Sequence, residues 1–111
     1  MENLIIYGSP NKCSFTMELL KKVVAEKLNT ATFYDCFKEK PLFCDGCGLC
    51  KQNDTCKLSD LTDFFKAFED AKEVFFAFPV YNGSFPAPMK SLIDRFQIFY
   101  NARFFKNKSP P

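Results

Sequence analysis

Four cysteines within thirteen positions form the strongest chemical motif of the chain, Cys44-x2-Cys47-x2-Cys50-x5-Cys56. Four thiolates at this spacing can converge on one inorganic centre, and Gly46 and Gly48 permit the tight turns that such convergence needs. The compact spacing favours a cubane iron–sulfur cluster. A structural tetrathiolate zinc site is the alternative, although zinc sites usually use two well-separated Cys-x2-Cys pairs. The segment therefore predicts metal–thiolate chemistry, with an iron–sulfur cluster, zinc or no metal left open.

The other residue types narrow the chemistry further. The chain has six cysteines and no histidine. Without histidine, Ser–His–Asp triads, Cys–His dyads and His-ligated zinc hydrolysis are excluded. Any catalysis must rely on a bound cofactor, a cysteine, a carboxylate or the backbone. Of the two cysteines outside the motif, we expect Cys36 to be a small buried residue and Cys13 to be non-essential.

The segment from Gly8 to Thr16 joins an apolar strand to the start of a helix. Free backbone N–H groups and the helix dipole make such a place receptive to phosphate. Hydroxyl groups and one cation are available there, from Ser9, Lys12, Ser14 and Thr16. The absence of a G-x-G-x-x-G or G-x-x-x-x-G-K-[ST] motif argues against a Rossmann dinucleotide site and a P-loop ATPase. The alternative is an ordinary strand–helix turn with an N-cap serine.

A second loop, residues 79–88, contains three prolines that stiffen it. Gly83 lets the backbone approach a ligand closely, and Tyr81 and Phe85 offer flat apolar surfaces. These features suit a planar aromatic ligand. The alternative is a rigid loop whose aromatic side chains pack on neighbouring helices.

The elements that must position these residues alternate between strands and helices. Short apolar segments predict strands at residues 3–7, 31–35 and 73–78. Apolar residues at helical spacing predict a helix over residues 14–28, a second from residues 59–60 onward and a third from about Met89. The alternation implies an α/β fold with a parallel sheet and right-handed crossovers. In such sheets ligands bind beyond the carboxyl ends of the strands, where both loops described above must lie.

Each predicted helix has an apolar stripe. The stripe of the first helix comprises Leu20, Val23, Val24 and Leu28. The stripe of the second comprises Leu61, Phe64, Phe65 and Phe68, with Ser59 or Asp60 as the N-cap. The stripe of the third comprises Leu92, Ile93, Phe96, Tyr100 and Phe104. Asp94 and Arg95 interrupt that stripe, either as a structural or cofactor-side ion pair or as a solvated surface pair.

Length and composition bound the class of protein. The chain has 111 residues, 47% of them hydrophobic and 25% charged, which fits one globular domain over residues 1–111 with a cysteine-rich insertion at 36–58. The net charge of +2 at pH 7 is too small to argue for nucleic acid or an anionic membrane as a partner. The sequence MENLIIYGSP is not a signal peptide, and no apolar run approaches the roughly 20 residues of a membrane helix. We therefore expect a cytoplasmic protein, in which six cysteines indicate metal or redox chemistry rather than disulfides.

Three segments follow one another in a specific order: IIYGSPNK, then FCDGCGLCKQNDTCKLSD, then FFAFPVYNGSFPAPMKSLIDRF. Together they resemble the flavodoxin-like NAD(P)H-dependent FMN reductases, and more closely the iron–sulfur flavoprotein branch of that family. The resemblance covers most of residues 3–96. It implies a doubly wound parallel sheet with strand order 2-1-3 and FMN bound at the switch point.

The resemblance also implies binding roles for particular residues. The FMN phosphate would lie on the first loop, at Ser9, Asn11, Ser14, Phe15 and Thr16. The isoalloxazine ring would contact the second loop, at Pro79, Val80, Tyr81, Asn82 and Gly83. A four-iron four-sulfur cluster (4Fe–4S) would be ligated by Cys44, Cys47, Cys50 and Cys56. No side chain is expected to be catalytic by itself, since the cofactor carries the chemistry.

The function implied by the resemblance is that of an FMN-binding redox protein. It would transfer electrons from a reduced nicotinamide, NAD(P)H, or from a small electron carrier such as ferredoxin, to a small acceptor or to the cluster. Such proteins are typically homo-oligomers in which the cluster approaches the flavin of a neighbouring subunit. The alternative is a non-enzymatic module that keeps a structural metal–thiolate site and binds no flavin.

The chain departs from the family pattern at two positions and in length. The family usually has a basic residue in place of Asn11 and an asparagine in place of Phe15. Its sheet has five strands, whereas three are readable here, and two further β–α units would need roughly 60 more residues. The C-terminal strands are therefore expected to be missing, through truncation, as a minimal form completed by oligomerisation, or as a form that no longer binds FMN. An exposed edge strand and fifteen phenylalanines predict a buried self-association surface.

Overall fold

The computed structural model describes residues 3–11, 14–25, 27, 30–50 and 56–100. The strands are β1 (Asn3–Tyr7), β2 (Ala31–Asp35) and β3 (Glu73–Ala77). The helices are α1 (Phe15–Val23), α2 (Cys36–Glu39), α3 (Thr62–Asp70) and α4 (Ala87–Asp94), and a 3₁₀ helix (Arg95–Tyr100) follows α4 directly. The three strands expected from the sequence are confirmed, and β3 ends one residue before its predicted end.

β1 lies in the middle of a parallel three-stranded sheet with the order β2-β1-β3. The register runs continuously along the strand, so that Tyr7 is level with Asp35 of β2 and with Ala77 of β3. All five residues of β1 are buried. The expected α/β fold, with a flavodoxin-like parallel sheet in the order 2-1-3, is therefore confirmed.

Alternate residues of β1 point to opposite faces of the sheet and belong to two hydrophobic clusters. Ile5 and Tyr7 pack with Leu20 and Val24 next to α1. Leu4 and Ile6 pack on the other face with a larger cluster that includes Leu61, Phe64, Phe65, Met89, Leu92 and Phe99. Because helices cover both faces of β1, the strand needs an apolar residue at nearly every position.

Phenylalanine rings fill much of the larger cluster. The rings of Phe64, Phe68, Phe96 and Phe99 form a set of contacts with centroids 5.0 to 6.3 Å apart. Aromatic pairs prefer this range of separations. The packing between α3 and the 3₁₀ helix therefore accounts for several of the fifteen phenylalanines.

Helix α1 is shorter than its prediction. Ser14 caps it and the helix ends at Val23, whereas the sequence predicts a helix over residues 14–28. Leu28 and Asn29 lie outside the described residues, so the structure does not test the predicted C-terminal end of this helix.

One buried position of α1 is also predicted wrongly. Leu20 and Val24 are buried as expected, but Val23 is 72% exposed. Phe15 and Leu19 are exposed as well, and they precede Val23 by eight and four positions, which places the three on one side of the helix. The helix thus has two adjacent apolar stripes, and only the one containing Leu20 packs on the described sheet.

The core positions of α3 follow the prediction, with buried or half-buried side chains at Leu61, Phe64, Phe65 and Phe68. The predicted N-cap, Ser59 or Asp60, is not confirmed. Leu61 occupies the N-cap position without a side-chain hydrogen bond, and the Asp60 carboxylate instead binds the Arg95 guanidinium. Asp60, which the local sequence predicts as a helix cap, therefore forms a tertiary ion pair instead.

Helix α4 begins at Ala87, two residues before its predicted start, with Pro86 at the N-cap position. Leu92 is buried and Ile93 and Phe96 pack against the larger cluster, as expected. Phe104 and the side chain of Tyr100 lie outside the part of the chain that the structure describes.

The segment 36–58, identified from the sequence as a cysteine-rich insertion, begins with the short helix α2. The Asp35 carboxylate caps it by accepting hydrogen bonds from the backbone N–H groups of Phe37 and Lys38, at 3.0 and 3.3 Å. None of the helices among the described residues combines the length and the apolar character needed to cross a membrane.

We predict that Leu92→Ala lowers the free energy of unfolding by about 2–5 kcal/mol, because it leaves a cavity between α4 and β1. Leu19→Ala on the exposed stripe of α1 should change it by no more than about 0.5 kcal/mol. Urea denaturation followed by circular dichroism measures both. Equal losses in the two variants would contradict the assignment of Leu92, rather than Leu19, to the core.

Candidate functional site

The loop after β1 is organised around the hydroxyl of Tyr7, which is fully buried. This hydroxyl donates a hydrogen bond to the Asn11 carbonyl at 2.7 Å and lies 3.0 Å from Ser14 Oγ. Ser9 Oγ lies 3.4 Å from Ser14 Oγ and accepts from the Asn11 backbone N–H at 3.3 Å. Three hydroxyl groups therefore lie together directly beyond the end of the central strand.

The same hydroxyl cluster touches the N-terminus of α1. Ser14 Oγ accepts a hydrogen bond from the Met17 backbone N–H at 3.3 Å, so this serine is a true N-cap. The backbone N–H groups of Phe15 and Thr16 belong to the same first turn, where a helix provides no acceptor of its own. The turn can therefore present backbone donors and hydroxyls to a single anion.

Gly8 brings this loop close to β3 and α4. Its backbone N–H donates to the Ala77 carbonyl at 2.8 Å, which extends the β1–β3 pairing by one residue. A Cβ atom at Gly8 would lie 2.6 Å from Met89 Cε and 3.2 Å from Phe78 Cβ. Any larger residue would require the end of the Met89 side chain to move and Phe78 to shift slightly, so glycine lets the first loop lie close to the start of the second.

The second loop contains a two-residue hairpin. The backbones of Tyr81 and Ser84 exchange two hydrogen bonds of 2.9 Å, and Asn82 and Gly83 between them have φ angles of 51° and 75°. Two central residues with positive φ define a type I′ turn, for which Asn-Gly is the preferred sequence. The hairpin leaves Val80 and Tyr81 exposed. Tyr81 is one of the two aromatic residues, with Phe85, that the sequence suggests as flat apolar surfaces for a planar ligand.

The end of the second loop turns inward at Pro86, which is fully buried at the start of α4. Phe85, just before it, stays partly exposed, and its ring lies 4.8 Å from that of Phe78 directly after β3. Neither Tyr81 nor Phe85 is buried, so the alternative of a loop whose aromatic residues pack on neighbouring helices is not confirmed.

A groove of about 520 Å³ runs between α1 and β3 and reaches both loops. Among the residues expected to hold FMN, it is lined by Phe15 and Thr16 near the first loop and by Pro79 at the start of the second. Its other lining residues are apolar: Leu19, Leu20, Val23, Val24, Phe75, Phe76, Ala77 and Phe78. The two loops thus lie beside one another, and the space between α1 and β3 next to them is open.

The four cysteines of the motif line one small cavity of about 30 Å³, together with Lys57 and Arg95. All four are free thiols rather than disulfides. Cys44 and Cys50 also line a wider opening of about 310 Å³ beside it. Gly46 and Gly48, with φ angles of 75° and 78°, supply the left-handed turns expected between the cysteines.

The fit of this donor set to a metal centre depends on which centre is considered. No three histidine, cysteine or acidic side chains among the described residues are already arranged to hold a single metal ion. The chemistry of the set nevertheless suits a metal–thiolate centre, because four unpaired thiols share one cavity. The four cysteines therefore fit a thiolate-ligated group by residue type and by sharing one cavity, and not by a ligand geometry already formed among the described residues.

Two cations accompany the cysteines. Lys57 forms an ion pair with Asp45 at 2.5 Å, and this hydrogen bond raises the pKa of Lys57 and lowers the pKa of Asp45. Burial by itself would lower the pKa of Arg95, but the hydrogen bond and charge of Asp60, together with the nearby Cys56, hold it above its ordinary value. Both cations therefore stay protonated beside the thiols.

Cys36 lies apart from this cavity. It is fully buried in the larger cluster, as expected for a small core residue. Burial, with the neighbouring Asp35 charge as a second cause, raises the pKa of its thiol to about 12. Cys13, the other cysteine outside the motif, lies outside the described residues.

The sequence did not point to one residue of the site, Tyr7, and it gave a second, Arg95, the wrong partner. Tyr7 ends an apolar strand, so its ring predicts burial and nothing in the sequence points to the hydroxyl contacts. Arg95 is not paired with Asp94: it is 2% exposed and binds Asp60, whereas Asp94 pairs with Lys90 on the surface of α4. The apolar residues on both sides of Arg95 were the available signal for its burial.

The sheet order and the two adjoining loops define a flavodoxin-like α/β protein, and comparison with known proteins agrees. The NADPH-dependent FMN reductase family matches residues 1–109, so the chain belongs to that family. A crystal structure of the Smu.1420 protein from Streptococcus mutans UA159 superposes with a TM-score of 0.65 at 27% identity, over 89% of this chain and 53% of that one.

Two relatives carry the name iron–sulfur flavoprotein. The protein from Methanosarcina thermophila is 31% identical over 109 residues, which is 93% of this chain and 56% of the relative. The protein from Archaeoglobus fulgidus is 29% identical over 108 residues, which is 93% of this chain and 55% of the relative. The chain thus spans about half the length of the relatives it matches.

We predict that iodoacetamide at pH 8 labels Cys44 and Cys47 in the folded protein more than about tenfold faster than Cys36. The thiolate is the reactive form, and Cys36 is both inaccessible and protonated. Peptide mapping by mass spectrometry after timed labelling measures the rates. Denaturant should abolish the difference, and rapid labelling of Cys36 without denaturant would contradict its position in the core.

Proposed function

We propose that the protein is an FMN-dependent oxidoreductase that also holds a metal–thiolate centre. The observation that carries the flavin assignment is the junction of the two loops. The first turn of α1, at Phe15 and Thr16, and Pro79 at the start of the second loop line one open groove. In the chain, the hydroxyl cluster directly precedes that turn and the hairpin directly follows Pro79. Membership of the FMN reductase family supports the same assignment.

The first loop is the proposed phosphate site. The Ser9 and Ser14 hydroxyls and the N–H groups of Phe15 and Thr16 can donate to phosphate oxygens, while the α1 dipole favours the negative charge. Asn11 completes the set, and its backbone is already fixed by the Tyr7 hydroxyl. The donors of this site that the structure describes are neutral, and the exposed ring of Phe15 brings no charge to the first turn. Lys12, the cation of this loop, lies outside the described residues.

The second loop is the proposed ring site, formed by Pro79, Val80, Tyr81, Asn82 and Gly83. The positive φ angles of Asn82 and Gly83 hold the hairpin in one conformation, so the backbone groups facing a ligand are fixed before it binds. The groove volume lies within the range of ordinary small-molecule sites. Bound FMN would supply reversible two-electron chemistry between a reduced nicotinamide or a small electron carrier and an acceptor.

The cysteine cavity is the proposed site of a 4Fe–4S cluster held by Cys44, Cys47, Cys50 and Cys56. The support is the sharing of one cavity by four free thiols and the name of the two relatives. A cluster of this kind would supply one-electron transfer. A structural zinc in a module without flavin remains the second candidate, favoured by the small size of the cavity. Free thiols also suit a reducing compartment such as the cytoplasm.

Self-association is part of the proposal. Phe15, Leu19 and Val23 leave an apolar stripe exposed on α1, and no described strand pairs with the outer edge of β3. Exposed apolar surface next to an open strand edge is a place where another chain can bind. We propose a homo-oligomer in which this surface is covered.

We predict that the protein binds FMN more tightly than riboflavin, which has the same ring and no phosphate. Ser14→Asp should weaken FMN binding at least about tenfold, or about 1.4 kcal/mol, because it places a carboxylate where the phosphate would lie. Riboflavin binding should not change. Aspartate is as good an N-cap as serine, so α1 should keep its stability. Quenching of flavin fluorescence measures the two affinities.

Ser59→Asp, which makes the same substitution at an exposed site away from the groove, is the matched control and should leave both affinities unchanged. Equal binding of FMN and riboflavin would contradict the phosphate site. A chain that binds neither flavin would refute the flavin assignment and favour the module without flavin.

We predict iron and acid-labile sulfide in about equal amounts, near four of each per chain, after anaerobic purification and reconstitution. Cys47→Ser should lose most of both, since it removes a proposed ligand. Cys36→Ala should retain them, because Cys36 is in the core and does not line the cavity. Zinc without sulfide would overturn the cluster and support the structural site.

A further inference from the structure

The guanidinium of Arg95 binds the cysteine-rich segment on both sides of its four cysteines. Nη1 donates to the Leu42 carbonyl at 2.8 Å, two residues before the first cysteine of the motif. Nη2 donates to Asp60 Oδ1 at 2.7 Å, four residues after the last. A single side chain of the α4 region therefore joins the two ends of the segment that contains the proposed ligands.

Asp60 completes a closed ring of hydrogen bonds with the same two residues. Its second oxygen, Oδ2, accepts from the Leu42 backbone N–H at 3.0 Å. Leu42 thus uses its N–H on Asp60 and its carbonyl on Arg95. A lysine cannot reproduce this arrangement, because its ammonium is a single point and the guanidinium is a planar fork.

Nε, the third nitrogen of the guanidinium, differs from the two Nη groups in its hydrogen bonding. Arg95 Nε is buried and has no hydrogen-bond partner among the described residues. Arg95 also lines the cavity that the four cysteines share. A buried donor without an acceptor is costly and calls for an explanation, such as a group that occupies the cavity when the protein is loaded.

Lys57, the other cation that lines this cavity, is not placed for the same task. It is half exposed and its ammonium is paired with Asp45. Both cations line the same cavity as Cys47 and Cys56, so these side chains lie near one another. Of the two, only Arg95 combines burial with a free donor in the described structure.

We propose that Arg95 is a positioning residue of the metal–thiolate centre: its Nη groups hold the cysteine segment closed, and its Nε–H donates a hydrogen bond to a sulfur of the loaded centre. This inference rests on the proposed thiolate site and adds a residue that the cysteine motif does not contain. A donor to sulfur stabilises the more negative, reduced state of a cluster, so it raises the reduction potential. Partners that orient metal ligands typically contribute 10–100-fold to metal affinity.

The test compares Arg95→Lys with Lys90→Gln, a control that removes a surface cation from the adjoining helix α4 and breaks its pair with Asp94. Titration with Co²⁺, read by its thiolate charge-transfer absorption, measures metal affinity without flavin or turnover. The proposal expects about 10–100-fold weaker Co²⁺ binding in Arg95→Lys and no change in Lys90→Gln. After reconstitution with iron and sulfide, the reduction potential of Arg95→Lys should be more negative than that of the unaltered protein.

The potential separates the proposed role from a merely structural one, because loosening of the segment alone would weaken loading without removing a donor to sulfur. Unchanged affinity and potential in Arg95→Lys would overturn the inference and leave the cysteine site intact. An unaltered protein that binds no Co²⁺ through thiolates and assembles no cluster would overturn the cysteine site itself, and the inference with it.

If circular dichroism shows that Arg95→Lys does not fold, a measurement on the unaltered protein replaces the variant. In protein labelled with ¹⁵N-arginine, the Arg95 Nε–H resonance should shift when Cd²⁺ is added, because the nitrogen then gains a sulfur acceptor. A resonance that does not move while Cd²⁺ binds to the thiols would refute the hydrogen bond.

Discussion

Burial of β1 on both faces is the constraint on which the rest of the structure depends. Its alternate side chains pack against α1 on one side and against the cluster of α3 and α4 on the other. This sandwich fixes where the strand ends, at Tyr7, and the buried tyrosine hydroxyl then orders the loop that follows. The N–H of Gly8 ties the same point to β3. The two loops of the proposed flavin site adjoin because the strands before them are paired in register.

The outer side of β3 and the second stripe of α1 present the opposite situation. Phe15, Leu19 and Val23 expose apolar surface beside a groove that is itself mostly apolar. In a doubly wound fold both faces of a parallel sheet are covered, and the chain spans about half the length of its relatives. Phe15 belongs both to the proposed phosphate site and to the exposed stripe, and it lines this groove. A chain that covered the stripe would therefore also change the surroundings of the proposed flavin site.

The cysteine segment is held in place by different interactions from those of the sheet. Between Leu42 and Asp60 its ends are joined by the buried fork of Arg95 rather than by strand pairing. Closing a loop costs chain entropy whether or not a metal is present. The Arg95–Asp60 ion pair offsets part of that entropy cost without a metal, and it keeps the four thiols around one cavity. The segment is therefore attached to the fold through α4, the helix that follows the proposed ring site.

The sequence alone determined the local structure. Apolar segments identified all three strands, helical spacing identified the main core positions of α3, and the alternation of elements gave a parallel sheet. The strands, helices and two loops follow from periodicity and turn chemistry, which act over a few residues. Resemblance to a family supplied the strand order and the roles expected of the loop residues.

The tertiary structure decided what depends on distant partners. Two apolar stripes compete on α1, and only packing on the sheet decides that Val24 is buried and Val23 is not. Asp60 has the sequence position of a helix cap, yet an arginine 35 residues away takes its carboxylate. In the sequence Arg95 follows Asp94. In the fold it lines the cavity of the four cysteines, because the apolar residues around it pack into the core. Periodicity cannot reveal such choices, since each depends on which residues from elsewhere in the chain fill the same space.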